Sequence, residues 1–215
     1  MASDLLHVTV LSIFVSVSAT LLASAMAVPL GTVMGLHKFR GREVVKTFTY
    51  TLYGFPPVVA GLLIYLLLSQ RGPLGSLNLL FTPAAMILAQ MVLVFPIITG
   101  LTMSSVSQVA GEVKETAMTL GADRWQTAKT VLNEARIGVI SAIMVGFGRA
   151  IAEVGAVLMV GGNIRWHTRV LTTAIVLETR RGNFEYALVL GAVLLTVALI
   201  VFFVLKRYQD KGVKI

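Results

Sequence analysis

The chain has 215 residues, of which 56% are apolar and only 13% charged, with a mean hydropathy of +0.85. This excludes an ordinary soluble domain, which carries about 25% charged residues, and demands lipid around much of the surface. The net charge of +8 does not mark a nucleic-acid binder, because the basic residues fall in separate segments instead of gathering on one face; the lack of cysteine rules out disulfides and thiolate metal sites.

A bilayer core takes roughly 20 apolar residues as a helix. Stretches free of Asp, Glu, Lys and Arg run over 5–37, 47–70, 72–111 and 186–205. The first predicts a span over about 8–36. Met1-Ala2-Ser3-Asp4 lacks the basic start of a signal peptide, so the helix is expected to be retained. Its Gly31-Thr32-Val33-Met34-Gly35 run either offers a small-residue face for close helix packing or is a chance spacing.

The second span is expected over about 46–69, with Pro56 and Pro57 as a candidate bend or gate. Gly72, Pro73, Gly75, Asn78 and Pro83 describe a loop leading into a third span over about 83–105. That span carries Pro96 as a second candidate bend.

Residues 106–136 predict a loop of two helices on the membrane surface. Helical composition covers 110–120, Gly121 breaks it, and Asp123 with Gln126 forms a capping box for the next helix. Leu120, Trp125, Ala128, Val131 and Leu132 would give it an apolar face. From the residues alone this is either a docking element or an amphipathic connector.

A fourth span, over about 137–160, contains Arg149 and Glu153. Each ionised centre costs about 2.5–3.5 kcal/mol, so this segment is expected against other helices or water instead of lipid. Spaced by four, the two can pair on one helix face. They either fix packing or give positive potential to an anion pathway, with Glu153 keeping Arg149 from becoming a trap. Gly161-Gly162-Asn163 closes the span. The segment 165–185, with four Arg and a helical LTTAIVLET, is expected outside, as a receptor surface, a ring at the mouth or a solvated loop. A last span covers about 185–206.

The expectation is an all-α integral membrane protein in one domain, with about five transmembrane helices and the N-terminus outside. Basic residues orient it. Lys38, Arg40, Arg42, Lys46, Lys114, Arg124, Lys129, Arg136, Lys206, Arg207, Lys211 and Lys214 then lie inside, against Arg71, Arg165, Arg169, Arg180 and Arg181 outside. No HExxH, GxSxG or GxxxxGK[ST] occurs, so no catalytic residue, cofactor or metal is expected and any ATP must be hydrolysed elsewhere.

Glu115-Thr116-Ala117 followed by Gly121, Ala122 and Asp123 resembles the EAA signature of ABC importer permeases. The Leu and Pro that end the signature are replaced here by Asn133 and Glu134. The runs LYGFPPVVAGL (52–62), FTPAAMILAQ (81–90), GFGRAIAEVGAVLMVGGNI (146–164) and LTTAIVLETRRG (171–182) extend the resemblance to molybdate and tungstate importer permeases, the tungstate group above all. The resemblance implies a homodimer in a bacterial or archaeal cytoplasmic membrane, a cytoplasmic ABC ATPase gripping the coupling loop, an external oxyanion-binding protein, and alternating access. Molybdate or sulfate is the alternative cargo, and a channel or secondary carrier the alternative class; the latter often shows internal repeats, and none is evident.

Overall fold

The computed structural model describes residues 2–37 and 39–211. Lys38 and Lys214, counted above among the inside charges, and Met1 lie outside the described residues. Among the described residues every regular element is helical: α1 (Ala2–Leu36), α2 (Arg42–Thr51), α3 (Pro57–Leu68), α4 (Pro83–Thr119), α5 (Arg124–Glu134), α6 (Arg136–Ile151), α7 (Gly155–Gly161), α8 (Leu171–Arg180) and α9 (Phe184–Lys211). Three helices are long and apolar enough to cross a membrane, and two bent pairs raise the number to five.

The centre of the fold is the parallel pair α1 and α4. Gly31 and Gly35 let them close: a Cβ on Gly31 would stand 2.6 Å from the Thr99 carbonyl oxygen, and one on Gly35 2.6 Å from Val106. The small-residue run is thus a close-packing face. Above it Val15 packs with Ala85 and Ala89; Ala23 and Ala27 pack with Val94 and Ile98.

The other helices alternate in direction around this pair. Helix α6 runs antiparallel to α4, with Val139 near Val106 and Gly146 against Ile98, and α7 continues to Met86. Helix α9 returns alongside, from Leu190 near Val8 to Gln209, whose Nε2 donates to the Ile137 carbonyl at 3.2 Å. The ends of α1, α4 and α9 that bear most inside charges therefore share one side of the molecule. Most of α9 is exposed, as a helix bathed in lipid should be.

Three expected stretches differ from the structure. The second, 46–69, is not straight: α2 packs along α4, then the chain turns by 99° at Phe55-Pro56 before α3 begins. Proline fixes the break because Pro56 disfavours a helical residue before it and Pro57 has no N–H to give. The third does not end near 105. Helix α4 runs unbroken through Pro96 to Thr119, about 55 Å at 1.5 Å per residue, well beyond a hydrocarbon core of about 30 Å. The fourth is interrupted at 152–154, splitting α6 from α7.

Candidate functional site

Helix α6 stops two residues after Arg149, and the three residues that follow carry the site. Glu153 is buried, with a side-chain exposure of 2%, and Arg149 is part-exposed at 30%. One Glu153 carboxylate oxygen pairs with the Arg149 guanidinium. The other accepts from the Ala156 N–H at 2.9 Å, capping α7. The Glu153 carbonyl accepts from the Thr172 hydroxyl at 2.8 Å. A break at membrane depth must satisfy its own backbone groups, and here one residue serves both flanking helices and α8.

Two other irregular segments meet this break. Val58, just after Pro56 and Pro57, packs on Gly155, where a Cβ would stand 3.0 Å from the valine methyl. The first turn of α8 is buried, and the Leu171 N–H donates to the Ser12 hydroxyl of α1 at 2.7 Å. The middle of the 165–185 segment is therefore not a solvated loop, although 165–167 and 179–185 are exposed. Leu171, Thr172, Thr173 and Ala174 are interior, because an N-terminal turn with Thr173 accepting from the Val170 N–H carries its backbone donors inside satisfied. Pro96 is not among these contacts and is buried within α4.

The second assembly is the elbow between α4 and α5. Gly121 has φ of 83°, a left-handed conformation that costs glycine little. Its N–H donates to the Met118 carbonyl and that of Ala122 to the Ala117 carbonyl, both at 3.0 Å, the paired bonds of a Schellman end. Asp123 then accepts from the Gln126 N–H at 2.7 Å while the Gln126 side chain accepts from the Asp123 N–H at 2.9 Å. Glu115 and Thr116 are exposed and Ala117 is buried.

The apolar face expected for this loop divides in two. Val131 is wholly buried with Val106 and Ala110, and Leu132 packs against the same cluster. Leu120 and Trp125 protrude, 82% and 78% exposed. Two large apolar side chains are thus left exposed at the turn between α4 and α5, the kind of patch that marks an interaction surface.

The sequence reading missed a polar groove between α2 and α4. Arg42, Lys46 and Tyr50 recur at four-residue spacing, one face of a helix. They line a cavity of about 210 Å³ with Ser104, Ser107 and Gln108. Arg42 donates to the Ser107 hydroxyl at 2.8 Å and to the Met34 carbonyl at 3.1 Å. Counting these cations only as topology signals concealed that two of them face α4.

Comparison with known proteins gives a consistent answer. The sequence pattern of the family described as "binding-protein-dependent transport system inner membrane component" matches residues 27–215. A probable anion ABC transporter permease protein of Haloferax volcanii is 42% identical over 96% of this chain and 91% of its own length. The tungstate uptake system permease protein of Peptoclostridium acidaminophilum is 41% identical over 94% and 88%. A sulfate transport system permease protein of Escherichia coli is 26% identical over 95% and 75%.

Proposed function

This chain belongs to the inner membrane components of binding-protein-dependent transport systems, and we propose that within that family it carries tungstate. It is the multi-pass permease of an oxyanion importer of the ABC class, and such systems work with a separate ATPase and a binding protein. The elbow is the observation that carries the mechanism: a turn closed by Schellman and capping-box bonds holds outward both Leu120, at the end of a helix continuous with the membrane core, and Trp125, at the start of α5. Glu115, Thr116, Ala117, Gly121, Ala122 and Asp123 build that turn.

In this reading Leu120 and Trp125 sit in a groove of the ATPase, and closure of two ATPase subunits moves α4 and α5 of two permease copies. The oxyanion passes between the copies from an external binding protein. Arg149 supplies positive potential beside the pathway, and Glu153 keeps the guanidinium oriented and partly neutralised, so a dianion is passed on instead of held. Pro56 and Pro57 fix the bend that rests on this break, while α4 stays continuous through Pro96. Tungstate is favoured over sulfate because identity to the tungstate relative is 41% against 26% for the sulfate one.

The test is uptake into proteoliposomes holding the permease, its ATPase and its binding protein. Tungstate accumulation at concentrations far below those needed for molybdate or sulfate is the expected result. Equal uptake of tungstate and molybdate would remove the cargo assignment. Uptake without the ATPase would overturn the coupling mechanism.

A further inference from the structure

The groove between α2 and α4 is assembled from two polar faces. Arg42, Lys46 and Tyr50 follow one another at single turns of α2, and Ser104, Ser107 and Gln108 share one face of α4. Met103 completes the lining, which among the described residues contains no acidic side chain. The Arg42 guanidinium is held in place by the protein itself. Its Nε donates to the Met34 carbonyl at 3.1 Å and its Nη2 to the Ser107 hydroxyl at 2.8 Å, and that hydroxyl donates onward to the Gly35 carbonyl at 3.4 Å. Two of its five N–H groups are spent this way, which leaves the Nη1 pair and one Nη2 N–H for a ligand. Tyr50 is held as well: its ring stands edge-on to that of Tyr53 at 5.4 Å and over Gly100, where a Cβ would come within 2.9 Å of it. Lys46 meets Glu43 at 3.6 Å in an exposed pair, a contact that water weakens and that leaves the ammonium available.

We infer that this groove is a binding site for the tetrahedral oxyanion on the inner side of the permease, where the cargo rests before release. Arg42 and Lys46 supply the counter-charges, and the Tyr50 and Ser104 hydroxyls with the Gln108 amide supply neutral donors. Every ionised side chain in the lining is a cation, which selects an anion. The size selects a small one, since about 210 Å³ falls below the about 300–1,000 Å³ of pockets that take organic ligands. Apart from Met103 and the tyrosine ring there is no apolar wall for glycerol or methylenes, so a free inorganic ion fits better than a lipid headgroup. About 20 residues counted from Pro83, some 30 Å of helix, end near Met103, which puts the groove where the hydrocarbon gives way to water and an ion can leave. The Lys46–Glu43 pair serves the same end by tempering one of the two charges. The inference rests on the reading of the chain as an oxyanion permease with this end inside, and not on tungstate as the cargo.

The test is equilibrium dialysis of the complete permease–ATPase complex in phosphatidylcholine nanodiscs, without nucleotide or binding protein. Bound tungstate is counted by elemental mass spectrometry, with molybdate and sulfate as competitors. Wild type is expected to bind tungstate. Q108E, which sets a carboxylate among the donors at an exposed position, should weaken binding about tenfold or more at unchanged melting temperature. R42Q should weaken it about tenfold, K46Q about fivefold and Y50F by a few-fold. K206Q/R207Q, which removes two charges elsewhere on the same side, should leave it unchanged.

Binding unaltered in both Q108E and R42Q/K46Q, or lost equally in K206Q/R207Q, would overturn the site. So would loss of tungstate on adding phosphatidylglycerol to the nanodiscs at high ionic strength, where the surface potential is screened; that result would give the groove to a lipid phosphate. Molybdate or sulfate binding more tightly than tungstate, with the same response to Q108E, would keep the site and remove tungstate as the cargo.

Discussion

The elbow at Leu120–Asp123 and the break at Ala152–Val154 both end one helix and begin another, but only the break also draws on distant partners. The elbow is closed by neighbours in sequence: Gly121 to Met118, Ala122 to Ala117, Asp123 with Gln126. The break is closed partly by neighbours, Arg149 and Ala156 on the Glu153 carboxylate, and partly by partners brought from elsewhere: Thr172 of α8 on the Glu153 carbonyl, and Val58 of α3 on Gly155. A locally closed turn can project into water and keep its shape. A turn at membrane depth has no water to complete it and depends on the whole bundle.

The largest expected effect is at the break. Glu153→Ala strands Arg149 and uncaps α7, and should cost about 3–5 kcal/mol, read as a fall in melting temperature of the purified permease. Glu153→Gln, which keeps a cap acceptor but not the charge, should recover part of that loss; equal damage from both would mean the cap contributes nothing. At the elbow, Leu120→Ala with Trp125→Ala should leave the melting temperature nearly unchanged yet weaken ATPase binding by about 2 kcal/mol or more, roughly 30-fold, in a titration of the purified partner. Gly121→Pro cannot adopt the positive φ, and should abolish copurification of the ATPase while membrane insertion remains intact. Full copurification would mean the elbow is not the coupling element.

Smaller effects sharpen the contrast. Asp123→Ala removes a cap worth about 1 kcal/mol, and the loss should appear as faster hydrogen exchange confined to the first turn of α5. Thr172→Val removes one buried hydrogen bond, also about 1 kcal/mol, but its effect on exchange should reach α6, α7 and α8 together. Exchange confined to α8 would show that the break is not shared.

The same contrast explains what can be read from the sequence. Asp123, Gln126 and Gly121 are a local code, so the elbow is legible in the order of the residues themselves. The Arg149 and Glu153 pair is visible from its spacing of four, but the break beside it is not. Nothing in Ala152-Glu153-Val154 is a helix breaker, and two of the partners that stabilise it lie 19 residues away at Thr172 and further at Val58. The 99° turn is signalled by Pro56 and Pro57, but packing alone decides its direction. Hydropathy places the apolar stretches well and their ends poorly, because α4 runs on into water as an amphipathic continuation with no local stop before Gly121.

The continuity of α4 has a mechanical consequence. From Pro96 to Thr119 the helix extends about 35 Å, and from Pro96 back to Pro83 about 20 Å. With Gly31 and Gly35 locking α1 against it, the pair forms a stiff lever of unequal arms. Pivoting at Pro96, it would convert a push of about 3.5 Å at the cytoplasmic tip into roughly a 2 Å opposite movement at the far end, trading travel for force in the ratio of the arms.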